Sequence, residues 1–219
     1  MDSGERKGWM KIISVNDLDS HMAAIGQAQA NAEIIQQMFR DYDLRKEAKL
    51  LISGCGTGQL FDYAKPSDLG DFELTLTDIN SAYLSATEQR LGKFGGVKYN
   101  LKIDDIEATN LQGHYDGILI VLVLQHVEWK KALDSMSKLK PTRFYIIEQE
   151  QDPTQHFVTK SRKLSQAFQK YAEIANPQLI PRNELIDYLK EKGYSNVKIY
   201  ERQVPDNKTM VGFVFEKRN

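Results

Sequence analysis

The sequence has little that would tie it to an oxidising compartment, a membrane or a polyanion. Among its 219 residues is one cysteine, Cys55, so a disulfide framework and a multi-cysteine metal site are both excluded. The longest apolar run, Ile118 to Leu124, is too short to span a bilayer, and Met1 to Lys11 lacks the apolar core of a signal peptide. Lysine and arginine number 29 against 30 acidic residues, which gives no strong attraction to nucleic acid. These features predict a soluble, cytoplasmic protein that spans no membrane.

Short apolar runs alternate with helical patterns through the middle of the chain. The runs predict strands at Lys49–Ser53, Phe72–Thr77, Val97–Ile103, Asp116–Leu122 and Arg143–Glu148. The segments between them predict helices at Gly58–Ala64, Ser81–Leu91 and Trp129–Leu139. Such alternation is typical of an α/β fold, in which helices cover both faces of a parallel sheet through right-handed crossovers.

Other patterns flank this core. Before it, apolar residues at helical spacing predict one helix over Asn16–Tyr42, with Asn16 or Asp17 as its cap. After it, Thr154–Ala175 predicts an added helix with Phe168 and Tyr171 on its apolar face. The chain then predicts a helix over Asn183–Lys192 and a β-hairpin formed by Asn196–Val204 and Thr209–Glu216.

We therefore expect a single domain over residues 1–219. Residues 1–45 would form an N-terminal helical cap, and residues 50–150 would form the ligand-binding core. Residues 151–181 would form a helical insertion that acts as a lid.

The most informative segment is Gly54-Cys55-Gly56-Thr57-Gly58, which directly follows the first strand. Glycines let a backbone turn tightly and approach a ligand, and the helix start that follows suits an anionic group. The spacing differs from the Gly-x-Gly-x-x-Gly of dinucleotide sites. Alternatively, the segment is only a tight turn. Cys55 is interpreted as a small residue that fits this turn rather than as a nucleophile.

Asp78 lies 20 residues beyond Gly58, at the end of the second predicted strand. Parallel strands end at the same edge of a sheet, which places its carboxylate beside the glycine turn. A carboxylate there can accept hydrogen bonds from both hydroxyls of a ribose. The alternative is that Asp78 caps the following helix.

Four motifs in this order resemble the class I S-adenosylmethionine-dependent methyltransferases. They are Leu51 to Gly58, Leu76 to Asn80, Asp104-Asp105-Ile106, and Tyr115 to Val127 with its Leu-x-His-Val element. The resemblance implies a Rossmann-like, mostly parallel sheet of seven strands with a C-terminal antiparallel hairpin. It also implies S-adenosylmethionine as the cofactor, with S-adenosylhomocysteine as its product.

The resemblance further implies roles for individual residues. The turn would lie beside the methionine half of the cofactor, with residues Gly54, Cys55, Gly56, Thr57 and Gly58. Asp78 would bind the ribose of the cofactor. Ile79 would pack on the adenine, Asp105 or Asp104 would bind the adenine amino group, and the Ile106 backbone would bind the neighbouring ring nitrogen. Val121 and Leu122 would lie under the sulfonium. Many relatives carry an acid where this sequence has Ile52, so the amino group of the cofactor needs another partner.

The candidates for catalysis follow the fourth strand. His126 and Glu128 could act as a general base, and the alternative for His126 is a structural hydrogen bond at a strand-to-helix turn. Glu148 and Glu150 end the fifth strand and would either hold an acceptor or be solvated. In the family that this chain resembles, an N-terminal helix often covers the cofactor, and this makes Gln27 and Asn31 possible site residues. His21 is expected to be exposed. No cluster of residues indicates a metal site.

These observations predict in-line methyl transfer to a nitrogen or oxygen atom of a small molecule, with nucleic acid an unlikely partner. A second hypothesis is methylation of RNA or protein, for which basic residues between Lys130 and Arg143 could provide a surface. A third is a non-catalytic protein that binds S-adenosylmethionine.

Overall fold

Seven strands form one mixed sheet in the order β3-β2-β1-β4-β5-β7-β6. The structure is a computed structural model that describes residues 6–42, 48–63, 73–94, 97–158, 165–174 and 176–218. The strands are β1 Lys49–Ser53, β2 Glu73–Asp78, β3 Lys98–Ile103, β4 Gly117–Val121, β5 Arg143–Glu150, β6 Tyr194–Val204 and β7 Lys208–Lys217. The first five are parallel, and β7 runs antiparallel to both β5 and β6. The predicted α/β fold with its C-terminal hairpin is therefore confirmed.

Six α-helices accompany the sheet in the described residues. They are α1 Val15–Ala24, α2 Gln27–Asp41, α3 Ser81–Leu91, α4 Trp129–Ser137, α5 Gln166–Ile174 and α6 Arg182–Glu191. Short turns of 3₁₀-helix span Gln59–Asp62, Ile106–Ala108 and Leu124–His126, and a π-helical turn spans Gly8–Ile12. No helix of the described segments is long and apolar enough to cross a bilayer.

Buried clusters lie on both faces of the sheet because alternate side chains of a strand point to opposite sides. Leu51, Ile118 and Ile120 belong to one cluster, whereas Leu50 and Leu119 belong to the other. Strands β1 and β4 are covered on both faces, and this explains their continuous apolar sequences. The strand order reverses between β1 and β4, so the carboxyl ends of these two strands open a crevice where ligands of such sheets bind.

The predicted helix over Asn16–Tyr42 is in fact two helices. The break falls at Gly26, whose φ of +67° is left-handed and ends the helical path. The first of the two helices is capped by Ser14 rather than by Asn16 or Asp17. Ser14 accepts a hydrogen bond from the backbone of Asp17, whose side chain accepts from the backbone of Ser14 in return.

Two other predicted helices differ from the structure. The described part of Gly58–Ala64 forms only a 3₁₀ turn, and Ala64 lies outside the described residues. The described part of the predicted helix over Thr154–Ala175 is helical only from Gln166, and residues 159–164 are not described. Asp152 accepts hydrogen bonds from both the backbone and the hydroxyl of Thr154, and this side-chain turn replaces the start of a helix there.

Candidate functional site

A cavity of about 240 Å³ lies at the carboxyl ends of β1 and β4. One half of it is formed by the turns after β1, β2, β3 and β4. All the residues predicted to bind the cofactor line this half, namely Gly54, Cys55, Gly56, Thr57, Gly58, Asp78, Ile79, Asp104, Asp105, Ile106, Val121 and Leu122. The structure therefore brings them together, although their individual roles stay predictions.

The glycine turn after β1 has a backbone that other residues rarely adopt. Gly54, Gly56 and Gly58 have φ values of +69°, +57° and +76°. A Cβ on Gly54 would lie 2.4 Å from a methyl carbon of Val123, which is far inside contact distance. Glycine is therefore required here by the left-handed backbone and by the close packing of Val123, and the turn lines the cavity.

Asp78 joins the glycine turn to the end of β2. Its Oδ2 accepts a hydrogen bond from the backbone N–H of Gly56, and its Oδ1 accepts one from the N–H of Asn80, both at 2.9 Å. The backbone of Ile79 also interacts with this carboxylate, which can still accept a hydroxyl hydrogen of a ribose. Burial raises the pKa of this carboxyl to about 6, although the backbone hydrogen bonds oppose the shift.

This raised pKa leads to a prediction for the affinity of S-adenosylhomocysteine. Ribose hydroxyls donate to the ionised carboxylate, so the protonated form of Asp78 binds poorly. Protonation increases as the pH falls through about 6, and we expect affinity about tenfold lower at about pH 5 than at about pH 7. Calorimetry across this range measures the effect. Asp78→Asn should bind weakly with little pH dependence, whereas His126→Gln should retain the wild-type profile. A wild-type profile that is flat would contradict the prediction.

Asp104 and Asp105 have different surroundings after β3. Asp104 is buried and accepts hydrogen bonds from the Thr109 hydroxyl at 2.6 Å and from the Asn110 N–H at 2.9 Å, so both of its oxygens stabilise its own turn. Asp105 accepts one hydrogen bond from the N–H of Glu107 and forms an ion pair with Arg6 at 2.8 Å. Asp105 is the better candidate for a ligand contact. Its Arg6 partner is an exposed side chain, so a ligand can replace Arg6 as the partner of the carboxylate.

Aromatic side chains line the other half of the cavity. His21 stacks on Phe168 with ring centres 4.1 Å apart, and Trp9 lies 5.2 Å from the ring of Tyr171. Phe157 completes this wall. The prediction that His21 is exposed is wrong, since it is largely buried and desolvation lowers its pKa to about 4, which leaves it neutral at pH 7. Trp9 was not predicted as a site residue, because nothing in its local sequence links it to distant strand ends.

Two parts of the chain that are far apart in sequence cover this cavity. Residues 6–24 cross it and are attached by hydrogen bonds from Asn80 to the Trp9 carbonyl and from Tyr83 to the Ile13 carbonyl. The other part is α5, whose Tyr171 packs against Gly8 so closely that a Cβ there would lie 2.5 Å from the ring. We refer to residues 6–24 and α5 together as the cover.

The two predicted catalytic residues are separated. His126 lines the cavity, where its Nδ1 is hydrogen-bonded to the Tyr171 hydroxyl at 3.1 Å and the Trp9 ring lies 4.9 Å away. Glu128 has an exposed side chain at the start of α4 and does not line the cavity. Its backbone N–H instead donates to Glu107. The geometry thus supports a site role for His126 and offers none for Glu128.

Neither glutamate at the end of β5 faces the cavity. Glu150 forms a bidentate ion pair with Arg182, whose Nε and Nη2 lie 2.9 and 2.8 Å from the two carboxylate oxygens. Glu148 is fully buried on the other face of the sheet, where neither carboxyl oxygen has a hydrogen-bond partner among the described residues. Gln149, between them, lines the cavity because neighbouring residues of a strand point to opposite sides.

Burial raises the pKa of Glu148 well above its usual value. The folded state therefore penalises the ionised form, and stability is lost as the pH rises above the pKa of the unfolded chain, about 4.3. We expect Glu148→Gln to unfold at a higher temperature than wild type, with a margin of several degrees that grows from about pH 5 to about pH 8. Thermal unfolding followed by circular dichroism measures this. Glu184→Gln, at an exposed position, should change nothing. An equal margin at both pH values would contradict the prediction.

Comparison with known proteins agrees with this geometry. Residues 51–141 match the family described as methyltransferase domain. The plantazolicin methyltransferase BpumL, solved with S-adenosylhomocysteine, superposes with a TM-score of 0.71 at 15% identity over 99% of this chain and 95% of that chain. The magnesium protoporphyrin IX methyltransferase of Synechocystis PCC 6803, solved with S-adenosylmethionine, gives 0.66 at 14% identity over 99% and 92%.

A third similar structure is phosphoethanolamine N-methyltransferase 2 of Haemonchus contortus, in complex with phosphomonomethylethanolamine and S-adenosylhomocysteine. It gives a TM-score of 0.63 at 14% identity over 85% of this chain and 52% of that chain. No curated protein matches the chain in sequence.

The strand order, the glycine turn and the buried Asp78 together define the class I S-adenosylmethionine-dependent methyltransferases. This chain is an enzyme of that class, with its methyltransferase domain at residues 51–141 and S-adenosylmethionine as its methyl donor. The residues present fit that donor. The glycine turn lines the cavity, and the Asp78 carboxylate lines it beside that turn, where it can accept a hydrogen bond from a ribose hydroxyl.

Proposed function

We propose that the enzyme methylates a nitrogen or oxygen atom of a small molecule that binds in the aromatic half of the cavity. The observation that carries this proposal is the continuity of that half with the turns predicted to hold the cofactor, in a single cavity beneath the cover. An acceptor there would lie next to the methyl donor and away from bulk water. Alignment and exclusion of water are the main requirements of such a displacement.

The domain boundaries predicted from the sequence receive roles under this proposal. The described part of residues 1–45 would act as a cap, and the described part of residues 151–181 would act as a lid that contributes one wall of the acceptor site. The packing of Ile13 with Phe168 and Tyr171 in one buried cluster supports this assignment, because it links the two segments above the cavity. Residues 50–150 bind the cofactor.

When bound, S-adenosylmethionine would supply the methyl group, with S-adenosylhomocysteine as the leaving group of an in-line displacement. The protein holds the donor with the glycine turn and Asp78, and Val121 and Leu122 provide an apolar floor. His126 takes the proton that an amine or hydroxyl acceptor loses. Its hydrogen bond to Tyr171 holds the imidazole ring in place at the cavity wall.

The cover favours a small-molecule acceptor over RNA or protein. A folded macromolecule would have to displace residues 6–24 or α5 before its nucleophile could reach the glycine turn. These segments are joined by the Tyr171–Gly8 contact and by hydrogen bonds to α3 and its cap. A small molecule needs only a transient opening.

Transfer of label from methyl-tritiated S-adenosylmethionine tests the proposal. The enzyme is incubated separately with the low-molecular-mass fraction and the macromolecular fraction of a cell extract. We expect label in the first fraction, and we expect His126→Gln to lower the rate without lowering the affinity for S-adenosylhomocysteine. Label confined to RNA or protein would overturn the proposal. Binding without transfer to either fraction would favour a non-catalytic protein.

A further inference from the structure

Helix α2 packs on one face of the sheet, and residues in its first half line the cavity. Near its start, the Gln27 amide donates to Oε1 of Gln149 on β5 at 3.0 Å. Further along, the Gln36 amide donates at 3.0 Å to the carbonyl of Tyr63, just after the 3₁₀ turn that follows β1. Asn31 lies between these two anchors and lines the cavity. Since β4 is the strand between β5 and β1, this places Asn31 above the ends of β4 and β1.

Asn31 has a hydrogen-bond acceptor that the fold leaves unused. The residue is 4% exposed, and its Oδ1 accepts no hydrogen bond from the described residues. A buried polar atom without a partner destabilises a protein, and asparagine is a poor residue for the middle of a helix. Neither packing nor helix formation therefore accounts for this side chain, whereas a ligand with an N–H donor would.

The methyl donor has such a group where Asn31 lies. Its ribose and adenine are assigned to the ends of β2 and β3, which leaves the methionine end for β1 and β4. The side chains there are apolar, including Ile35, Ile52 and Val121. Two buried polar side-chain atoms in the described lining have no partner, and of these Trp9 Nε1 is a donor and Asn31 Oδ1 is an acceptor.

We propose that Oδ1 of Asn31 accepts a hydrogen bond from the ammonium group of S-adenosylmethionine. Asn31 thereby orients the methionine chain and, with it, the sulfonium above Val121 and Leu122. This role depends on the identity of the donor and not on that of the acceptor. It can therefore be tested by binding alone, and the test does not depend on the small-molecule acceptor proposed above.

Three ligands isolate the ammonium group in calorimetric titrations. S-adenosylhomocysteine has the amine and the carboxylate, its decarboxylated analogue keeps only the amine, and 5′-methylthioadenosine has neither. We expect Asn31→Ala to weaken binding of S-adenosylhomocysteine and of its decarboxylated analogue by about tenfold or more, because one hydrogen bond to a charged group is lost. Binding of 5′-methylthioadenosine should stay unchanged and reports that the site is folded.

Two further variants complete the design. Asn31→Asp keeps the acceptor and adds a negative charge, so it should bind S-adenosylhomocysteine at least as tightly as wild type. Gln29→Ala, at an exposed position of the same helix outside the cavity lining, should bind all three ligands normally. Equal weakening of all three ligands by Asn31→Ala would overturn the proposal, and so would no weakening at all. Weakening of S-adenosylhomocysteine alone would assign Asn31 to the carboxylate and would overturn it as well.

Discussion

Asp78→Ala is expected to weaken binding of S-adenosylhomocysteine by at least about a hundredfold. The carboxylate would lose two hydrogen bonds to the ribose, and each hydrogen bond to a charged group contributes about 1.5–3 kcal/mol. The substitution also removes the acceptor for the Gly56 N–H, so the glycine turn loses its connection to β2. Asp78→Asn keeps the shape and one acceptor oxygen, and its affinity should be intermediate. Calorimetry with the folded variants gives the comparison.

Asp116→Ala is the matched control. This carboxylate also accepts a backbone hydrogen bond, from Lys49 at 2.9 Å, but at the opposite edge of the sheet. Its loss should lower the unfolding temperature and leave cofactor affinity unchanged. If Asp78→Ala bound S-adenosylhomocysteine within tenfold of wild type, the assignment of the ribose to Asp78 would be wrong.

Gly54→Ala is expected to lower both stability and cofactor affinity. The left-handed φ of +69° costs about 1 kcal/mol for alanine. The overlap with Val123 at 2.4 Å adds about 1–3 kcal/mol. At about 2–4 °C per kcal/mol for a chain of this size, the unfolding temperature should fall by roughly 4–16 °C. Thermal unfolding and calorimetry measure the two effects.

Gly26→Ala separates the cost of the left-handed backbone from the cost of the steric overlap with Val123. Its φ of +67° is close to that of Gly54, but a Cβ there would meet nothing within 4 Å. It should therefore show only the loss of about 1 kcal/mol due to strain. The double variant Gly54→Ala with Val123→Ala removes the overlap and should recover part of the stability. Equal losses in Gly54→Ala and Gly26→Ala would show that the close approach to Val123 is unimportant.

The cofactor half of the site could be predicted from the sequence because each of its turns directly follows a strand. Parallel strands end at one edge, so Gly54, Asp78 and Asp105 converge whatever the exact length of each strand. The family resemblance then supplied a role for each position. The fold was predictable for the same reason, since apolar runs that alternate with helices specify a parallel sheet.

The acceptor half could not be predicted in the same way. Trp9, Phe157 and Phe168 come from segments whose local patterns contain no information about which strand ends they cover.

The end of β5 illustrates a second limit. A strand exposes alternate residues, so an error of one position exchanges Glu148 for Gln149, and the sequence does not show which of them faces the cavity. The burial of His21 depends on Phe168, almost 150 positions away along the chain.

Cys55 lies in the wall of a cavity that receives an alkylating agent. A thiolate is among the strongest nucleophiles in proteins, and one beside a sulfonium methyl group would be at risk of methylation by the enzyme's own donor. Burial, reinforced by the charge of Asp78, raises the pKa of this thiol to about 12. At pH 7 this thiol therefore stays protonated. The environment of the glycine turn thus protects Cys55 from methylation by the bound S-adenosylmethionine.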